Sequence, residues 1–397
     1  MRLSPTASFY LQASIVVFFL AGSSAPTPLY PVYQAHWGFT PITVTVVFGI
    51  YALAVLSALL TLGSLSDHLG RRPVLLAATL LQAVTMAVFA SARGVPTLVL
   101  ARVLQGLATG AAVGALGAGM LDLDRAKGTI ANAIGPLIGV ATGGVLSGLM
   151  VQYLPAPTEL VYLVLGAIFL AQAAGVALMP ESTARRAGAL ASLKPHLRLP
   201  AAVRAPLLLA APAMVAAWAL AGFYGSLGPS LLRGLVGAAA GGSASLALGG
   251  LALFVLAGSG AVVVLLVRDL APRAVMALGT AALVTGVAVT LVAIAQRSLP
   301  GFFAGTAIAG AGFGAGFQGA IRTVIPLARA SERSGVLSVL YVLGYLAMGL
   351  PAVLGGLRVV HGGGVIGTAR EYGVVVMILA AIALAGVTAR RPMPARA

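Results

Sequence analysis

The chain has 397 residues, of which 60% are hydrophobic and only 8% charged, and its mean hydropathy is +1.04. A water-soluble domain carries about 25% charged residues, so a soluble enzyme and a large extramembrane domain are both excluded, and the bilayer is the solvent that suits this chain. The net charge of +16 does not point to nucleic acid, because the basic residues gather at alternate junctions between apolar runs, a pattern that sets membrane orientation and meets anionic lipid.

A helix needs about 20 apolar residues to cross a hydrocarbon core of about 30 Å. On that measure the first part of the chain holds spans near 9–31, 42–62, 73–92, 96–119, 128–150 and 158–179. The second part holds spans near 206–231, 243–267, 273–294, 299–321, 334–356 and 371–389. Met1 and Arg2 ahead of the first run read as the start of an uncleaved span, since so many spans follow. Twelve spans place both termini on one side. That side receives eighteen basic residues against five on the other, with Arg102 inside a span. The positive-inside rule therefore puts both termini in the cytoplasm of a multi-pass protein of the cytoplasmic (inner) membrane. The one long polar interval, 180–205, separates an N-terminal six-helix bundle (1–179) from a C-terminal one (206–397) in an all-α integral membrane fold.

The chain has no cysteine, which removes disulfides and thiolate metal sites. His36, His68, His196 and His361 are scattered without ligand spacing, and no metal or cofactor is expected.

Between the second and third spans lies Gly63-Ser-Leu-Ser-Asp67-His-Leu-Gly70-Arg71-Arg72-Pro73. A connection this short makes its two spans antiparallel neighbours. Gly63 and Gly70 permit close approach or positive φ, and Pro73 suits a first helical turn. Asp67 and Arg71 are placed to answer each other or the end of a neighbouring helix, and Asp67 is read either as part of a solvated charged turn or as a latch against the N-terminus of a helix from the other half, a contact that contributes about 0.3–2 kcal/mol. Arg71 is placed to pair with Asp122 or Asp124 at the end of the fourth span. The stretch resembles the loop signature G-x-L-x-D-x-x-G-R-R of the major facilitator superfamily, and Gly63, Leu65, Asp67, Gly70, Arg71 and Arg72 fill every position of it. The resemblance implies twelve helices in two pseudo-symmetric six-helix bundles, a gating role for this loop, and the helix starting near Ser334 and Gly335 as the partner of Asp67. A worn echo, Arg268-Asp269-Leu-Ala-Pro-Arg273, lies between the eighth and ninth spans. Pro28-Leu-Tyr-Pro31 and Gly228-Pro229-Ser-Leu end the first and seventh spans alike.

Arg102 lies inside the fourth span, with Gln105 and Gly106 on the same helical face. A guanidinium there costs about 2.5–3.5 kcal/mol even on insertion scales, so it needs partners, a water-filled cavity or a snorkelling route to the outer surface. The run resembles the family pattern R-x-x-Q-G, which implies proton or substrate handling. The fifth span carries Gly135-Pro136-Leu-Ile-Gly139-Val-Ala-Thr-Gly143-Gly144, either a kinked packing helix or something more. It resembles the antiporter signature G-P-x-x-G-G, with Val140 where its second adjacent glycine would stand, and that resemblance implies export.

Polar and aromatic side chains within spans are candidates for a cavity wall: Thr27, Tyr30, Tyr51 and Asn132 in the first half, Trp218, Tyr224, Gln318, Tyr341 and Tyr345 in the second. Such a wall suits a moderately apolar organic substrate, although some of these belong to an interfacial belt. No Asp or Glu falls in the middle of a span, and Asp122, Asp124, Glu159 and Glu371 lie near span ends. Proton coupling is thus implied by resemblance alone. The expectation is a monomeric secondary transporter, exporting a small organic molecule against protons, with a sugar or metabolite importer or uniporter as its rival. No HExxH, nucleophile elbow or carboxylate pair within the spans points to an enzyme.

Overall fold

In a computed structural model, residues 2–195, 197, 199–236, 244–329 and 332–389 are described, and they form helices and connections with no strand among them. Met1 and His196, named above, and Arg198, Arg390, Arg391 and Arg396, counted among the eighteen basic residues, lie outside the described residues. The first half contains α1 (Pro5–Ser24), α2 (Tyr30–Trp37), α3 (Pro41–Leu62), α4 (Ser66–Leu69), α5 (Arg71–Ala90), α6 (Val95–Leu123), α7 (Arg125–Tyr153) and α8 (Leu160–Leu178). The second contains α9 (Ala201–Ser226), α10 (Gly228–Val236), α11 (Ala244–Leu266), α12 (Pro272–Ala295), α13 (Leu299–Val324), α14 (Arg333–Arg358) and α15 (Gly364–Ala389).

Twelve of these helices have 19 or more residues, enough to cross about 30 Å at about 1.5 Å per residue. Among the described residues, ten runs are both long and apolar enough to qualify as spans. One of them is the 57-residue stretch Arg333–Ala389, in which α14 and α15 meet at a kink where Gly362 has φ 104°. The glycine-rich α13 is not among the ten.

Two expected spans are broken. The first was expected to run over 9–31, but α1 stops at Ser24 and a short helix resumes at Tyr30. Pro26 and Pro28 withhold two backbone donors just where the helix would continue. The seventh breaks at Leu227, ahead of Pro229, and resumes as α10. At its other end α9 begins at Ala201, inside the interval expected to be linker, directly after Pro200.

One buried core runs from Phe9 to Met179. Two others draw on residues between Val203 and Val387. The halves meet where α3 packs on α14 and α7 on α11. These contacts are built from small residues, as membrane helices require for close approach. A Cβ at Gly250 would lie 2.2 Å from the Gly144 carbonyl oxygen, and one at Gly356 would lie 2.1 Å from the Thr45 hydroxyl. Both contacts lie towards the face opposite the loop at residues 63–72.

On the loop face, the polar stretch after α8 docks on its own half. The Glu181 carboxylate accepts from the backbone N–H groups of Arg71 (2.8 Å) and Arg72 (3.1 Å), satisfying orphan donors at the N-terminus of α5. Gly70 has φ 99° and leaves no room for a Cβ, which would lie 2.5 Å from Glu181. The Arg186 N–H donates to the His68 carbonyl at 2.9 Å.

Candidate functional site

The break after α1 exposes backbone groups in a buried place, so each needs a partner. Pro26 has no N–H to give to the Gly22 carbonyl, and the Gln105 amide donates to it instead at 2.8 Å. The N–H of Thr27 turns to Ser24 (3.0 Å), which leaves the Ser23 carbonyl free for the Arg102 guanidinium at 2.9 Å. The N–H of Leu29 turns to Pro26 (3.1 Å), and the Ala25 carbonyl accepts from the Ser147 hydroxyl of α7 at 2.5 Å. The spacing of Arg102 and Gln105 on α6 is what this requires: three residues apart, they share a face and clamp two successive carbonyls of α1.

Arg102 is fully buried, at 0% exposure, so it does not snorkel. Its Nη2 and Nε donate to the Tyr30 hydroxyl at 2.6 and 3.2 Å, and its Nη1 also donates to the Gln105 carbonyl oxygen at 2.7 Å. No carboxylate pairs with it among the described residues. The rings of Tyr51, Tyr30 and Phe89 lie 5.1, 5.6 and 5.8 Å from its charge and supply the cation–π attraction that a counter-ion would otherwise provide. Beyond them, Tyr33 donates to Tyr162 at 3.1 Å, and Tyr162 stacks on Phe89.

The Major Facilitator Superfamily profile matches residues 13–274. The chain belongs to the major facilitator superfamily. Its fold is similar to that of the nucleoside transporter NupG, at 12% identity and TM-score 0.73, over 95% of this chain and 99% of that one. It is also similar to the human organic anion transporter MFSD10, at 17% identity and TM-score 0.65, over 96% and 100% of the two chains. This facilitator is a multi-pass membrane transporter rather than an enzyme.

In the facilitator's loop, Arg71 is buried and bonded to Asp67, to the Ser66 hydroxyl (2.7 Å) and to Asp122 (3.4 Å). Asp124 does not join them. It caps α7 by accepting from the Lys127 N–H at 3.0 Å and pairs with the Lys127 ammonium at 3.3 Å. The Lys127 N–H holds the Asp124 carboxyl below its ordinary range. A depressed carboxyl stabilises the fold above its unfolded value, so this cap is expected to weaken as pH falls through the lower folded value. Amide exchange in the first turn of α7 measures it, and an Asp124→Asn variant is expected to lose that pH dependence. Asp67 bonds to Arg71 rather than to the start of α14, and its side chain is 54% exposed. Arg72 reaches the Ala177 carbonyl.

The cavity candidates divide. Tyr30 is inside the first core, and Tyr224 is inside the second, bonded to the Thr306 hydroxyl at 2.8 Å. Asn132 ties α7 to α6 through the Gly117 carbonyl at 3.0 Å. Within the second half, Trp218 of α9 meets Tyr345 of α14 (4.9 Å between ring centroids) and Phe317 of α13 (5.5 Å), and Tyr345 meets Tyr341 (6.4 Å). Tyr341 and Tyr345 lie on α14, which packs on α3, the helix that carries Tyr51. The indole N–H of Trp218 is buried without a hydrogen-bond partner. Gln318 is half-buried beside Phe317 on α13. Gly135, Gly139 and Gly143 of α7 pack on α1, where a Cβ at Gly139 would lie 2.4 Å from the Val17 carbonyl oxygen, and Pro136 sits within an unbroken α7. Glu181, Ser147 and Phe317 were missed in the sequence. For Glu181 the only signal was a carboxylate just beyond the proline that ends the sixth span.

Proposed function

We propose that this facilitator exports a small, moderately apolar organic compound by alternating access, in exchange for protons, with halves 1–179 and 206–397 rocking about the joint at 180–205. The observation that carries the reading is the one-sided contact between the halves. The hydrogen bonds from Thr27 to Gly225, Arg233 to Gln34 and Ala247 to Gln152 all lie on the face away from the arginine-rich loops. If that arginine-rich face is cytoplasmic, the conformation is closed outside, and Asp67 is free of α14 because the latch engages only when the inner face closes. Trp218, Tyr345, Tyr341, Phe317 and Tyr51 then form the aromatic wall that a substrate meets. The packing of the Gly135–Gly143 run of α7 on α1 supports export, by resemblance to the antiporter signature.

A second reading, uniport without protons, is favoured by the eight carboxylates, none of which lies in mid-span. Proteoliposomes loaded with a compound selected by thermal shift decide between them. Efflux that rises with an inward proton gradient supports exchange, and efflux unchanged when the gradient is collapsed leaves uniport. Asp67→Asn is expected to slow transport about 2- to 30-fold, the range set by one charge at a helix end, with expression retained. Wild-type rates in that variant would count against the latch.

A further inference from the structure

The second break has a freed carbonyl of its own, and the group that satisfies it comes from the other half of the molecule. Pro229 stands four residues after Gly225 and has no N–H to return to the Gly225 carbonyl. In its place the Thr27 hydroxyl, from the break after α1, donates to that oxygen at 2.9 Å. Thr27 is 1% exposed and Gly225 is buried, so water does not stand in for the bond while the halves touch. The neighbouring cross-half bond, from Arg233 to Gln34, is longer at 3.3 Å.

We infer that the Thr27 hydroxyl and the proline-freed Gly225 carbonyl form an outer latch of the transport cycle. The inference rests on the alternating-access reading. With the halves together, the carbonyl has Thr27 or nothing. With the halves apart, both groups are wetted and the carbonyl no longer needs a protein partner. Deleting the hydroxyl therefore raises the free energy of the outside-closed state alone. Thr27 acts by positioning one half against the other, not by touching substrate.

The absence of cysteine makes the test clean. Spin labels on an outer pair, His36→Cys with Gly234→Cys, report opening of that face. Both positions are exposed, and Gly234 has nothing within 4 Å of an added Cβ. A second pair, Ala126→Cys with Ser334→Cys, reports the loop face. Thr27→Val, nearly isosteric but without the hydroxyl, is expected to shift the outer pair towards the longer separation about tenfold or more in population, the effect of one orphaned buried carbonyl. Thr27→Ser is expected to keep the wild-type distribution. On a Pro229→Ala background, where residue 229 regains an N–H for the Gly225 carbonyl, Thr27→Val is expected to have no effect. An outer distribution that Thr27→Val leaves unchanged overturns the latch. If the outer pair lengthens while the loop-face pair stays fixed, the latch stands and the rocking of the halves fails.

Discussion

Replacing Arg102 with alanine is expected to abolish transport and to destabilise the first half by about 3 kcal/mol. The estimate follows from the three acceptors left behind. The Ser23 carbonyl, the Tyr30 hydroxyl and the Gln105 side-chain oxygen are all buried and all lose the donor that Arg102 supplies, at about 1–3 kcal/mol for each orphaned group. Removing an unneutralised charge from the interior offsets part of this, but the lost ring contacts to Tyr51, Tyr30 and Phe89 act in the other direction. Transport suffers more than stability because the break between α1 and α2 is where the halves meet through Thr27, so a loosened break misplaces the contact surface. Arg102→Lys is expected to be intermediate, since an ammonium keeps the charge but not the forked geometry. Gln105→Ala, which orphans the Gly22 carbonyl alone, is expected to be milder. Transport in proteoliposomes and thermal unfolding of the purified protein read the two effects separately. Wild-type transport in Arg102→Ala would mean that the guanidinium does not hold the break. Because a guanidinium stays protonated at any working pH, Arg102 itself contributes no pH dependence to transport.

Arg102 also marks where sequence reading stops. That it is costly, and that Gln105 shares its face, follows from one-letter code and helical spacing. Its partner at the break does not, because the Ser23 group that it holds is a main-chain carbonyl, which every residue carries. The available signal was Pro26: a proline frees the carbonyl four residues before it, and that carbonyl is on Gly22. Hydropathy windows merged α1 with α2 and α9 with α10 for a related reason, since they average over a break that costs only two or three donors. The loop at residues 63–72 was legible because glycine and charge punctuate an apolar chain there, and the pairing of Arg71 with Asp122 followed from the proximity of span ends. Asp124 was equally near, but its backbone position at the start of α7 commits it to a cap. Tyr30 and Tyr224 show a different limit. Both lie in spans, yet periodicity does not tell whether a helix face looks into its own bundle or across to the other. The structure turns both inward and gathers Trp218, Tyr341 and Tyr345 where α9 meets α14.

Gly250→Val is expected to trap the transporter open on the outer face, folded but about fivefold slower or more. The site is the crossing of α11 with α7, one of the two main contacts between the halves. A Cβ at Gly250 would lie 2.2 Å from the Gly144 oxygen and 3.0 Å from its carbonyl carbon, and these are backbone atoms that cannot rotate away as a side chain would. The helices must separate, and overpacking of this kind costs about 1–3 kcal/mol. On the proposed rocking of the halves, that cost falls only on the outside-closed arrangement, because α7 and α11 belong to different halves and would part. Converted at about 1.4 kcal/mol per tenfold change, the closed population falls about 5- to 150-fold relative to the open one. Gly279 provides the contrast. Its Cβ would lie 2.2 Å from the Gly316 backbone nitrogen, an equally hard clash, but α12 and α13 pack together within one half. Gly279→Val therefore strains every conformation and is expected to reduce folded protein rather than to redistribute states. If the two variants behaved alike, both losing folded protein or neither slowing transport, the α7–α11 crossing would be a fixed seam and not a surface that opens and closes.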